Sequence, residues 1–252
     1  MTSASVLPIE PAQNIAASAI EIRNVSKHFG SVAALRGVSA SFVPRQLTLV
    51  LGENGAGKST LMRIIAGLSS PTRGAVALFG STDRDEAKRR LGYMPHASLL
   101  YDELTGLENL EYFAALYGIH DAGAWSRAMR NVGLDPAMQR RVGQYSQGMR
   151  QRLSLARAVV HDPDVLLLDE PFSNVDVASA CHMAERLAQM RDAGKTILVV
   201  THQPQVLDAV ADEAIFLEQG RLVDRCRWNA EALRRFEAAS LAGRVRLSGV
   251  KR

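Results

Sequence analysis

Nine consecutive residues, Gly52-Glu53-Asn54-Gly55-Ala56-Gly57-Lys58-Ser59-Thr60, constrain this chain more than any other stretch. They stand between an apolar run at 47–51 and an amphipathic run at 61–68, which reads as strand, glycine-rich loop and helix. Gly52, Gly57, Lys58 and Ser59 satisfy the spacing G-x-x-x-x-G-K-[ST], in which backbone N–H groups and a helix N-terminus surround phosphates. Glycine is needed there because a side chain would keep the backbone from closing round the anion. Lys58 would then reach the β- and γ-phosphates of a nucleotide, and the Ser59 hydroxyl would offer Mg²⁺ the hard oxygen ligand it prefers.

A chain of 252 residues with 47% hydrophobic content can bury one large domain or a core with a subdomain. The net charge of +4 suits an anionic ligand or an acidic surface, and much of the excess lies near the C-terminus. The two cysteines, Cys181 and Cys226, are far apart in sequence and suggest neither a disulfide framework nor a zinc site, which fits a reducing cytosol. No apolar run reaches the roughly 20 residues needed to span a bilayer, so action at a membrane requires another chain to do the crossing. Residues 1–18 lack the basic and apolar regions of a secretory signal and read as a flexible extension.

Along the chain, β-formers at 19–24 and 38–43, with Gly30 and Gly37 as turns between them, suggest antiparallel strands. A strand at 74–79, a charged helix at 82–90 and a strand at 91–94 follow, the last ending at Pro95 and His96. Helical periodicity dominates 99–161, in runs at 108–117, 124–132 and 149–160, as in a helical subdomain inserted into an α/β core. Val165 to Glu170 is an apolar strand ending in two acids. Then come a helix at 177–191, a strand at 196–201 ending at His202, a helix at 204–211 and a hairpin at 214–224 across Gln219-Gly220. The phosphate-loop unit is placed at 19–228, with a C-terminal helix and basic tail over 229–252. The fold expected is α/β: a mostly parallel sheet core, an antiparallel β subdomain and the inserted α-helical subdomain.

In such a sheet, ligands bind at the carboxyl ends of the strands, where Gly52, His96, Asp169, Glu170 and His202 all fall. Asp169 can serve Mg²⁺, and Glu170 can polarise a water aimed at a γ-phosphate. Helix capping is the bland alternative for adjacent acids after a strand, and Pro171 argues against it for Glu170.

These motifs together resemble the ATP-binding subunit of an ABC (ATP-binding cassette) transporter, a phosphate-loop NTPase, over residues 20–224. By that resemblance Gly52 to Thr60 is the Walker A loop, Val165 to Asp169 is Walker B, and Glu170 is the catalytic glutamate. Ser173 to Asp176 corresponds to the D-loop and His202 to the switch histidine. Phe29, which by position alone reads as a core aromatic, falls where the family stacks adenine. Tyr145-Ser146-Gln147-Gly148-Met149 is similar to the family's signature loop, which addresses the ATP of a second copy. The resemblance implies ATP and Mg²⁺ as ligands, an integral membrane permease as partner, pairing with a second ATP-binding subunit, and a place at the cytoplasmic face of the cell membrane. Leu99, Leu100, Tyr101 and Leu104 are candidates for the groove that receives the membrane partner, with ordinary subdomain core as the alternative.

Two positions depart from the family pattern. Gln147 replaces the first of the two glycines after the signature serine, leaving Ser146 and the helix N-terminus beyond Gly148 to meet phosphate. His96 stands where a glutamine is usual; an imidazole is a poor Mg²⁺ ligand, so His96 is expected to hydrogen-bond water instead. His96, the run Tyr101-Asp102-Glu103-Leu104-Thr105, Glu108-Asn109-Leu110 and Thr201-His202-Gln203 together resemble the haem-exporter branch that serves cytochrome c maturation. The run Gly148 to Arg152 also occurs in ATPases of drug, lipid and polysaccharide exporters, which leaves the cargo open.

A soluble ABC-type ATPase acting on nucleic acid or ribosomes is the competing class, for which the tail residues Arg244, Arg246, Lys251 and Arg252 speak. No second phosphate loop and no sustained heptad run accompanies them, so no nucleic-acid partner is expected. A small-molecule kinase would leave Ser146 to Met149 and His202 unexplained.

Overall fold

The computed structural model describes residues 18–238. Its centre is a six-stranded sheet built from β3 (Leu47–Leu51), β5 (Leu91–Met94), β6 (Val165–Asp169), β7 (Thr196–Val200), β8 (Glu213–Glu218) and β9 (Arg221–Arg227). The spatial order is β5-β6-β7-β3-β8-β9, parallel throughout except for the β8–β9 hairpin. Every residue of β3, β6 and β7 is buried, which explains why their sequences read as unbroken apolar runs: both faces are covered. Alternate side chains enter different cores. Leu49, Leu51, Leu166, Leu168, Ile197 and Val199 face one, while Val50, Val165, Leu167, Leu198 and Val200 face the other.

The second core is closed by α1 (Lys58–Ile65) and by a separate three-stranded antiparallel sheet of β1 (Ile20–Phe29), β2 (Val32–Phe42) and β4 (Arg73–Leu78), ordered β2-β1-β4. The strands β1 and β2 are longer than the sequence patterning suggests. Gly30 turns the chain, but Gly37 lies within β2 at φ 69°, where irregular pairing between Val25 and Lys27 absorbs it as a bulge. The connection from β4 to β5 carries the short α2 (Arg84–Arg89).

Between β5 and β6 lie α3 (Gly106–Leu116), α4 (Ala122–Asn131) and α5 (Gln147–Val159), which pack on one another and on the first core. Each begins with a side-chain cap: Thr105 with Glu108 in a reciprocal capping box, Asp121 on the Gly123 amide, and Ser146 on the Met149 amide. After β6 the chain forms α6 (Val177–Asp192), capped by Asp176. The helix expected at 204–211 is only a 3₁₀ turn, Pro204–Leu207. Beyond it Asp208 accepts from the Trp228 indole and Asp212 from the Leu47 amide, and these bonds draw the chain toward β8. Residues 230–238 are helical. Residues 1–17 of the extension expected at 1–18, and the basic tail beyond residue 238, lie outside the described residues.

Candidate functional site

Parallel strands all leave the sheet at the same edge, so the order β5-β6-β7-β3 sets four exits side by side: His96, then Asp169 with Glu170, then His202, then Gly52. Register makes the alignment close. Asp169 is level with Val200, Val200 is level with Val50, and the Glu170 amide donates to the Val200 carbonyl at 2.9 Å.

The loop after β3 is held from outside. Gly52 has φ 147°, and a Cβ there would lie 2.2 Å from the Leu217 carbonyl oxygen; Gly57 has φ 101°, with a Cβ 2.6 Å from the Ala34 oxygen. Both positions demand glycine for backbone conformation and for space. The Gly220 amide, in the β8–β9 turn, donates to the Ala56 carbonyl at 3.1 Å and braces the loop. Within the loop the Ala56 amide donates to Glu53, while Asn54 and Gly55 lie exposed at its tip. The loop runs into α1, whose first turn has N–H groups without intrahelical partners. Among the described residues, no hydrogen bond pairs the amides of Gly57, Lys58, Ser59 or Thr60. Lys58 is only 6% exposed, and its ammonium donates to the carbonyls of Gly52 at 2.6 Å and Glu53 at 2.9 Å, inside the curve of the loop. Burial pushes the Lys58 ammonium below its usual pKa, while the carboxylates of Glu170 and Asp169 work against that shift. A phosphate fits this cradle: it offers acceptors to unpaired amides and negative charge to a desolvated cation.

Opposite the loop, Asp169 is 2% exposed and its Oδ1 accepts from the Ser59 hydroxyl at 3.2 Å. The pair presents two hard oxygen donors, which fits Mg²⁺. Among the described residues no cluster of three or more His, Cys, Asp or Glu side chains forms a metal cage.

Glu170 sits at φ 56°, a conformation that costs a non-glycine residue of the order of 1–3 kcal/mol and turns its side chain back over the strand ends. Its Oε2 accepts from the His202 amide at 3.2 Å. The His202 Nε2 lies 3.3 Å from Oε1 but outside hydrogen-bonding geometry, so buried Oε1 has no hydrogen-bond partner among the described residues. Burial raises the Glu170 pKa above the usual carboxylate value, opposed by the His202 amide and the Lys58 charge. His202 is pushed the other way, first by burial and then by Lys58. A carboxylate fixed through one oxygen and free at the other can receive a proton from a water in front of it.

His96 is exposed beyond β5, near enough for its charge to act on Glu170, and makes no hydrogen bond among the described residues. Phe29 is 55% exposed at the end of β1, with the Lys27 ammonium 4.9 Å from its ring centroid, so the core reading by position is overturned. Ser146 and Gln147 are exposed at the start of α5 with Gly148 half-buried; among the described residues no hydrogen bond joins them to the phosphate loop.

Three supporting residues were not singled out from sequence as parts of the site. Gln151, buried on α5, donates to the Glu170 carbonyl at 3.2 Å, Gly220 braces the loop, and Asp212 holds the start of β3. A glutamine facing the core one turn after the Ser146 cap was the available signal for the first.

The sequence model of the family described as ABC transporter matches residues 35–173. The ABC transporter ATP-binding protein NatA of Bacillus subtilis is 38% identical, the match covering 77% of this chain and 82% of that protein. The Nod factor export ATP-binding protein I of Burkholderia lata is 35% identical over 81% of this chain and 69% of that protein. Among solved structures, the dimeric post-hydrolysis state of an ATP-binding cassette bound to ADP and Pi superposes with a TM-score of 0.75 at 25% identity, covering 84% of this chain and 99% of that one. These relatives give no support to the haem-exporter expectation. Together with the phosphate cradle and the Glu170 geometry, they establish that this chain belongs to the ABC transporter family, as an ATP-binding subunit with the ATPase fold and activity of its cassettes.

Proposed function

We propose that two copies of this chain close over two ATP molecules and use their hydrolysis to power export through a separate membrane subunit. The observation that carries the reading is Glu170: strained, half-buried, tied by one oxygen to His202, and with its other, buried oxygen free beside Lys58 and Asp169. In this reading the amides of Gly52 to Thr60 and the Lys58 ammonium bind the phosphates, and Phe29 stacks on adenine. Ser59 and Asp169 would hold Mg²⁺, which when bound neutralises charge on the phosphates. Glu170 takes a proton from the attacking water, His202 hydrogen-bonds the γ-phosphate, and His96 hydrogen-bonds water at the rim. Ser146, Gln147 and Gly148 complete the site of the second copy from the N-terminus of α5. The dimeric form of the ADP-bound cassette noted above supports this pairing.

Among the described residues no helix is long and apolar enough to cross a membrane. In this reading an integral permease does the crossing and this chain works at its cytoplasmic face, as the likeness to the Nod factor export ATP-binding protein supports. Export is preferred over import because of the likeness to the Nod factor export protein. The likeness to Nod factor export and linearmycin resistance proteins favours a cargo other than haem. Exposed Leu99 and Tyr101, with half-buried Leu100, make the surface on which the permease would dock.

Lys58→Ala tests the core of the reading. Removing a desolvated cation from the phosphates should abolish hydrolysis and weaken ATP binding by at least about tenfold, since charge-assisted bonds are worth about 1.5–3 kcal/mol. Normal ATPase activity in folded Lys58→Ala protein would defeat it. Co-purification of the tagged chain from detergent extract should bring an integral membrane protein; ribosomes or nucleic acid in its place would favour the soluble class.

A further inference from the structure

The run Tyr101 to Thr105 and Asn109 have no part in the ATP chemistry, yet the structure ties them tightly to the loop that carries Ser146. Asn109 is completely buried: its Oδ1 accepts from the Tyr101 amide, and its Nδ2 donates to the carbonyls of Tyr101 at 3.0 Å and Thr105 at 2.9 Å. The turn is thereby fixed onto α3. Outside it, the Tyr101 ring packs edge-on against Tyr112 at 5.0 Å and stacks on Phe113 at 5.9 Å.

Asp102, at the centre of this turn, reaches the Ser146 loop from both sides. Its carbonyl accepts from the Gly143 amide at 2.9 Å, and the Leu104 carbonyl accepts from Val142 at 2.8 Å, so the chain just before Ser146 is held by main-chain bonds. Its carboxylate Oδ1 accepts from both terminal nitrogens of Arg150, each at 2.7 Å. Arg150 lies one turn into α5, and its own amide donates to the Ser146 carbonyl at 2.9 Å. One residue therefore grips the chain on either side of the Ser146 cap.

We infer that Asp102, acting through Arg150, is a positioning residue for Ser146. It fixes where Ser146 and Gly148 stand against the ATP bound by a second copy, and it links that position to the aromatic surface around Tyr101. The inference rests on the two-chain reading given above. The exposure of the pair separates this role from simple stabilisation: the Asp102 side chain is 53% exposed, and such an ion pair adds only about 0–1 kcal/mol to folding. Misplacing a binding group by about 1 Å can cost up to about a hundredfold in function. Loss of the pair should leave the fold intact and weaken the closed dimer.

The test uses the full chain carrying Glu170→Gln, in which ATP is bound and turned over only slowly. Sedimentation velocity with Mg²⁺ and ATP gives the dimer dissociation constant. Binding of a fluorescent ATP analogue at low protein concentration gives the affinity of the single chain, and thermal unfolding reports the fold. Asp102→Ala and Arg150→Ala are expected to raise the dimer constant by about tenfold or more, within the loss that such misplacement produces, with analogue affinity and unfolding temperature unchanged. The exchange Asp102→Arg with Arg150→Asp should recover most of the association. Unchanged association in both single variants, an equal fall in analogue affinity or unfolding temperature, or no recovery in the exchanged pair would overturn the inference. No ATP-dependent association in the Glu170→Gln parent would overturn the two-chain reading and this inference with it.

Discussion

Gly57 and Phe29 mark the two extremes of what single residues disclose. At Gly57 the G-x-x-x-x-G-K-[ST] spacing is legible without a structure, because only glycine tolerates φ 101° with backbone 2.6 Å from where a Cβ would lie. Gly57→Ala should therefore destabilise the fold by about 2 kcal/mol or more, combining strain of about 1–3 kcal/mol with a clash against Ala34. Gly55→Ala, at φ 81° with nothing within 4 Å, should cost only the conformational part. Denaturant unfolding of the two variants should rank them in that order, and equal losses would contradict it. Phe29 is the opposite case. An aromatic ring at the end of a strand reads as core by position alone; the family resemblance pointed the other way, and the 55% exposure removes the core reading. Phe29→Ala should leave stability within about 0.5 kcal/mol, as for most surface changes. It should weaken ATP more than inorganic triphosphate, measured by calorimetric titration; an equal loss for both would rule out stacking on the base. Gln151 stayed hidden for a similar reason: nothing in a sequence says which carbonyl a glutamine will reach.

Elements with strong periodicity were readable, and those shaped by distant partners were not. The strands β3, β6 and β7 announced themselves as apolar runs because both faces are buried, and α3 and α5 by their helical spacing. The 3₁₀ turn at Pro204–Leu207 read as a helix because its apolar spacing is helical, while the bonds to Trp228 and Leu47 that cut it short come from residues remote in sequence. The contact of β5 with the end of α5 was likewise invisible. There His161 stacks on Tyr117, centroids 3.8 Å apart, and its Nε2 donates to the Leu91 carbonyl, leaving buried Nδ1 without a hydrogen-bond partner among the described residues. Burial pushes the His161 pKa below its usual value, so the unfolded chain binds a proton near pH 6.5 that the folded chain refuses. The neutral ring's contribution is complete above that pH and is lost as the pH falls through it toward the lower folded pKa. Stability to urea should fall between pH 7.5 and 5.5 by up to about 1.36 kcal/mol per pH unit for this one proton. His161→Gln, which keeps a donor for Leu91 but cannot titrate, should flatten the profile. Identical profiles for parent and variant would contradict the assignment.

At the scale of the whole molecule, the site follows from topology. Because β5, β6, β7 and β3 are parallel neighbours, residues separated by more than a hundred positions in sequence meet at one edge, and the convergence could be anticipated from strand ends alone. The antiparallel sheet bearing Phe29 and the helical segment bearing Ser146 flank that edge, and no hydrogen bond among the described residues closes Ser146 onto the loop of its own chain. That arrangement suits completion by a second copy. The central claim, that Glu170 is the base for hydrolysis within a site shared by two chains, is tested most directly by Glu170→Gln. The amide keeps the shape but cannot take a proton, so single-turnover hydrolysis should slow by about 10²- to 10⁴-fold, about 3–5 kcal/mol of barrier, with ATP affinity retained. In the same protein, cysteines at Ser146 and Gly55 should cross-link between chains when ATP is present. Hydrolysis at the normal rate, or no cross-link with ATP bound, would contradict the account.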